Sequence, residues 1–133
     1  MAIIHATPEP NGILLLTFNG VVASDADVQQ LKTDIDTVSS SIRSLHKAQG
    51  QGIRILLNIS NFDAEVVMEA VTALVNFARA DKEYVFRTAI FGASKKLKVI
   101  GDSIVTLSGR SNIKFFETKE EAMHWLDGSG NVI

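Results

Sequence analysis

The chain has 133 residues, of which 46% are hydrophobic and 21% charged, the size and make-up of one globular domain spanning residues 1–133. Its formal net charge of −2, from 13 basic and 15 acidic side chains, argues against a nucleic-acid binder, which is usually clearly basic. The absence of cysteine excludes disulfides, thiol nucleophiles and thiolate metal sites. Residues 1–5 show no basic region followed by a long apolar run, so no signal peptide is expected. No apolar run approaches the roughly 18 residues of a membrane span, so no transmembrane segment is expected and a cytoplasmic location is inferred.

Residues 3–7 and 13–19 are short, apolar and β-compatible, and Pro8-Glu9-Pro10-Asn11-Gly12 between them makes a turn. This predicts a β-hairpin. Ser24-Asp25-Ala26-Asp27 is a helix start, with a capping serine and acids at the positive end of the helix dipole. Behind it Val28, Leu31, Ile35, Val38, Ile42 and Leu45 draw one narrow apolar stripe, predicting a helix over residues 24–47. Gln29, Lys32, Asp34, Asp36, Ser40 and Arg43 form its polar face, and Gly50-Gln51-Gly52 ends it. The stripe reads as packing on a sheet, or as a dimer seam or a lid over an apolar pocket.

Residues 53–59 form a nearly continuous apolar run, as expected of a strand covered on both faces. Ser60-Asn61-Phe62-Asp63 then reads as a short loop and helix cap before Val67, Ala70, Val71, Leu74, Phe77 and Ala78, which recur at helical spacing. Residues 84–91 predict another strand. Ser94 caps a third helix carrying Leu97, Ile100, Ile104 and Leu107, with Gly101 an unfavourable residue inside it, costing about 1 kcal/mol against alanine. Residues 113–116 make a short last strand. Thr118-Lys119-Glu120-Glu121 is a capping box that opens a final helix with Ala122, Trp125 and Leu126, closed by Gly128-Ser129-Gly130.

The order β-β-α-β-α-β-α-β-α implies an α/β fold with a mixed five-stranded sheet packed by helices, the later strands parallel through right-handed crossovers. This pattern resembles the STAS superfamily, the fold of bacterial anti-sigma-factor antagonists, and within it the SpoIIAA-like branch. The resemblance is carried by residues 55–63, by Ala89-Ile90-Phe91-Gly92-Ala93-Ser94-Lys95-Lys96, and by residues 115–126 with their Glu121-Ala122-x-x-Trp125-Leu126 end. It implies a non-enzymatic module that binds a protein partner (a regulator or a kinase-like protein), or sometimes a lipid or nucleotide. In the antagonists a serine in an Asp-Ser dipeptide, opening the helix after the central strand, is phosphorylated. The best match here is Asp63-Ala64, which lacks the hydroxyl; Ser60 is near but on the wrong side of the loop. By that resemblance Asp63 would hold a fixed negative charge in the place of the phosphate.

No catalytic residues, no metal site and no cofactor are expected. Gly101-Asp102-Ser103-Ile104 superficially matches the nucleophile block of GDSL-type hydrolases, but it falls mid-helix, and only His124 follows it, without an Asp two or three residues before. His5, His46 and His124 have no metal spacing. Glu65 and Glu69, near Asp63, read as a solvated helix face rather than an acid–base pair.

Two functional readings remain. In the first, the chain is a regulatory protein-interaction module, with Ser60, Asn61, Phe62, Asp63 and Ala64 as the partner-binding residues and Phe62 as an exposed aromatic anchor. In the second, it carries or senses a small apolar or amphipathic, lipid-like ligand, with an enclosed apolar cavity of at least about 300 Å³ and a basic mouth. Ser94, Lys95, Lys96 and Lys98 are either an anion site at a helix start, near the C-terminal edge of the sheet, or a solvated lysine patch. A homodimer is compatible with either reading.

Overall fold

The computed structural model describes residues 2–128. The chain folds in the order β1 (Ile4–Pro8), β2 (Ile13–Val22), α1 (Asp25–Gln49), β3 (Ile53–Val66), α2 (Met68–Ala80), a single 3₁₀ turn (Lys82–Tyr84), β4 (Val85–Phe91), α3 (Lys95–Ser108), β5 (Ile113–Phe116) and α4 (Lys119–Leu126). All five strands join one sheet in the order β1-β2-β3-β4-β5. The β1–β2 pair is antiparallel, as a hairpin must be, and each later pair is parallel. The mixed five-stranded α/β sheet expected from the sequence is therefore the fold.

Side chains alternate across the sheet. Leu14, Leu16, Ile53, Ile55 and Ile90 face α1, α2 and α3, in a core completed by Leu31, Val38, Ile42, Leu74 and Leu97. Ile13, Leu56 and Ala89 face the opposite way and meet Ala122 and Leu126 of α4. Three helices thus share one face, as crossovers of one hand require when β2 leads to β3, β3 to β4 and β4 to β5, always in the same direction. The helix after β5 crosses to no further strand and covers part of the other face.

The α1 ends match the sequence signals. Ser24 Oγ accepts the Asp27 N–H, and the Asp27 carboxylate accepts the N–H of Ala23 and Ser24. Gly50 closes the helix at a left-handed φ of 70°. The apolar stripe packs on the sheet: Val28, Leu31, Val38 and Ile42 are buried, with Ile35 and Leu45 packed against them. One residue of the expected polar face belongs elsewhere. Asp34 is 7% exposed, and one of its carboxylate oxygens accepts the N–H of Ile3 (2.6 Å) and of Ile4 (3.1 Å), while Gln30 donates to the other. It pins the start of the edge strand to the long helix.

The segment after residue 59 is the main departure from the sequence reading. Ser60, Asn61, Phe62 and Asp63 are not a loop and helix cap; they continue β3, which runs to Val66. The reason is the neighbouring strand. β2 also runs on, so Asn19 pairs with Asn61, Gly20 with Phe62 and Val22 with Val66, across two register shifts that absorb extra residues of β3. Phe62 turns inward and sets its ring edge-on to Phe18, centroids 5.4 Å apart. The next helix then begins at Met68, with Val67 in the cap position and no side-chain cap at all.

Gly101 inside α3 also finds its reason in packing. A Cβ there would stand 2.6 Å from Cζ of Phe115 on β5, so the missing side chain lets helix and strand approach. At the C-terminus the expected Gly128-Ser129-Gly130 stop extends outside the described residues.

Removing the Asp34 carboxylate leaves two buried backbone donors without an acceptor. Asp34→Ala is expected to cost about 2–4 kcal/mol, since charge-assisted bonds of this kind contribute about 1.5–3 kcal/mol and each orphaned donor adds its own desolvation cost. Urea unfolding measures this; a loss under about 0.5 kcal/mol, the usual scatter for surface substitutions, would show that β1 is not held in this way.

Candidate functional site

At the C-terminal edge of the sheet the loop after β4 meets the stretch of β3 that runs on beyond it. Gly92, at a φ of 88°, lies directly on Ser60: a Cβ there would stand 2.7 Å from the Ser60 Cβ and 2.8 Å from its backbone nitrogen. Only glycine fits, both by conformation and by space. This contact joins the two segments that the sequence singled out. Ser60 and Asn61 are exposed on one side of it, and Ser94, Lys95 and Lys96 are exposed on the other. The Ser60 hydroxyl donates to Oδ1 of Asn58, which also accepts the Ser60 N–H.

The remaining members behave differently. Phe62 is 9% exposed and belongs to the core, so it offers no exposed aromatic anchor. Asp63 is exposed, its carboxylate accepting the N–H of Glu65, and Ala64 is half-buried against the core. The Asp63-Ala64 dipeptide therefore sits inside a strand and not at the start of a helix. Ser94 Oγ accepts the Leu97 N–H and caps α3. Lys98 leaves the edge; it lines an open groove between α3 and β5 together with Asp102 and Lys114. Among the described residues none of Lys95, Lys96 and Lys98 enters an ion pair.

A second feature lies under the helices. An almost wholly apolar, half-open cavity of about 130 Å³ lies between the sheet and the helices on its face, with Phe18, Ile42, Leu74, Ile90, Ile104 and Phe115 among its walls. It is smaller than the cavity expected from the sequence. Its basic residue is also a different one: Lys95, Lys96 and Lys98 do not line it, whereas Arg110 does. Arg110 is 8% exposed and donates to Asn112 Oδ1 (2.8 Å), to Thr88 Oγ1 (3.0 Å) and, at 3.4 Å, to the Ala78 carbonyl. Burial lowers the pKa of its guanidinium, an effect that the charge of Asp81 partly opposes.

Asp81 lines the same cavity and is 2% exposed. Its Oδ2 accepts from Ser39 Oγ at 2.7 Å, while among the described residues Oδ1 is buried without a hydrogen bond and has Arg43 at 3.6 Å. Sequence reading missed both residues. Each stands just past a helix end, among polar neighbours, where an acid or a base normally signals solvent.

The catalytic pattern does not assemble. Ser103 lies on α3 and donates to the Val99 carbonyl of its own helix, while His124 lies on α4 across the sheet. Among the described residues no group of three His, Asp or Glu side chains is placed to hold a metal ion. No described helix is long and apolar enough to cross a membrane. The Glu121-Ala122-x-x-Trp125-Leu126 end is structural. Glu121 completes the capping box with Thr118, Ala122 and Leu126 are buried, and Arg87 donates to the Trp125 carbonyl while its guanidinium stacks on the indole.

A mixed sheet with three helices on one face and a capping helix on the other defines an α/β domain of the STAS type. The SpoIIAA-like family model matches residues 16–127, and the chain belongs to that family. No curated protein matches the sequence. Three solved structures share the fold. An uncharacterized protein with a SpoIIAA-like fold from Shewanella loihica has a TM-score of 0.62 at 18% identity, over 92% of this chain and 91% of its own. The protein TM1081 has a TM-score of 0.62 at 16% identity, over 92% and 86%. The anti-sigma factor antagonist SpoIIAA, in its unphosphorylated form, has a TM-score of 0.60 at 14% identity, over 94% and 96%.

Gly92→Ala is expected to destabilise the domain by at least about 1–2 kcal/mol, the cost of a left-handed residue with a Cβ, with the clash on Ser60 added. In an ¹⁵N NMR spectrum the amides of residues 60–61 and 94–96 should shift together. If only one of the two segments responds, they are not coupled through this contact.

Proposed function

We propose that this chain is a non-enzymatic regulatory module that binds a protein partner through the C-terminal edge of its sheet. The contact of Gly92 on Ser60 carries the reading, because it fuses two exposed polar segments into one surface: Ser60, Asn61 and Asp63 from β3, and Ser94, Lys95 and Lys96 from the start of α3. Family membership supports it, and so does the likeness to a protein named as an anti-sigma factor antagonist. The lysines give the surface a cationic half and Asp63 an acidic residue, an arrangement that sets orientation and partner choice more than raw affinity. Residues 63–69, which lead into the helix after β3, contain no serine or threonine. The module therefore works without the phosphoserine of the antagonists at that place.

A photo-crosslinking side chain at Asn61, introduced in the native host, tests this. One crosslinked protein of discrete mass is expected, and its yield should fall at least tenfold in the Lys95→Glu/Lys96→Glu double variant. Crosslinks scattered over many proteins and indifferent to the charge reversal would refute the proposal.

The apolar cavity favours a second reading, a carrier or sensor of a small, mainly apolar molecule. Its volume restricts the occupant: an engineered apolar cavity of about 150 Å³ holds a benzene molecule. Native mass spectrometry of protein purified gently from its host should then show a retained adduct of roughly that size.

A further inference from the structure

We infer that the cavity under the helices takes an uncharged molecule of about six carbon atoms bearing a hydroxyl, whose polar group meets Arg110 and Asp81. The inference rests on the second reading above and names the ligand class for it.

The walls are apolar, and a wholly apolar occupant would satisfy them. Arg110 and Asp81 ask for more. Of the five N–H bonds of the Arg110 guanidinium, three have protein acceptors, in Asn112, Thr88 and Ala78. Asp81 Oδ1 is buried with no donor among the described residues within hydrogen-bond range, and Arg43, at 3.6 Å, is half-exposed. Spare donors and a spare acceptor therefore border the same cavity.

Charge decides what suits them. A carboxylate in the cavity would gain from Arg110 but face Asp81, and an ammonium would gain from Asp81 but face Arg110. Either brings a net charge against almost wholly apolar walls, which costs free energy. A hydroxyl brings none, and it both donates and accepts. It can donate to Asp81 Oδ1 and accept from Arg110 while the hydrocarbon part fills the space between Phe18, Leu74, Ile90 and Phe115.

Four six-membered-ring probes of similar size test this on the unmodified protein: cyclohexanol, methylcyclohexane, cyclohexanecarboxylate and cyclohexylammonium. Binding is followed by the side-chain methyl resonances of Ile42, Leu74 and Ile90 and by the Arg110 side-chain N–H. Cyclohexanol should bind at least as tightly as methylcyclohexane despite its stronger preference for water, shifting both the methyls and the Arg110 N–H, and the two ions should bind at least tenfold more weakly. In Asp81→Asn the affinity for cyclohexanol should fall about tenfold with that for methylcyclohexane unchanged. If methylcyclohexane binds tenfold more tightly than cyclohexanol, or if an ion binds best, the hydroxyl assignment is overturned and the cavity remains a binding site. If no probe moves the cavity methyls, both the assignment and the carrier reading fall. The wild-type series distinguishes these outcomes even if the variant does not fold.

Discussion

Each parallel connection in this chain advances one strand in the same direction, and such connections share one hand as a rule. That single constraint places α1, α2 and α3 on one face of the sheet. A doubly wound sheet reverses its strand order, sends helices to both faces and leaves a crevice where the order turns. This sheet never reverses, so it has no such crevice. Its one thick layer of apolar packing lies beneath three helices, and the opposite face is left to the eight residues of α4.

The two candidate sites follow from that arrangement. The loop that leaves β4 crosses the extended part of β3, and Gly92 in that loop allows the backbones to touch. The cavity forms where three helices must cover one twisted sheet and their side chains do not quite fill the space between. The helix ends that border it bring the buried Asp81 and Arg110, which no apolar core would otherwise include. The proposed protein-binding edge and the cavity lie in different parts of the fold, so neither use precludes the other.

Much of the fold is legible in the residues because the signals are local. Ser24 with Asp27 and Thr118 with Glu121 cap their helices in the way their spacing demands. The stripe from Val28 to Leu45 packs as its periodicity requires. The segment 60–66 reads wrongly because polar residues after an apolar run normally end a strand. Here the partner strand β2 extends as far, and pairing with it outweighs local preference. Likewise Asp34 looks like a surface residue in the helix pattern. Its burial depends on two N–H groups some 30 residues earlier in the chain.

Capping residues and apolar periodicity thus determined most of the elements and their order, because each acts within a few residues along the chain. Tertiary structure alone decided that β3 runs on to Val66, that Phe62 is core, that Ser60 lies under Gly92, and that Asp81 and Arg110 share a cavity. Those facts depend on which segments become neighbours across the sheet, and distance in space is not written in distance along the sequence.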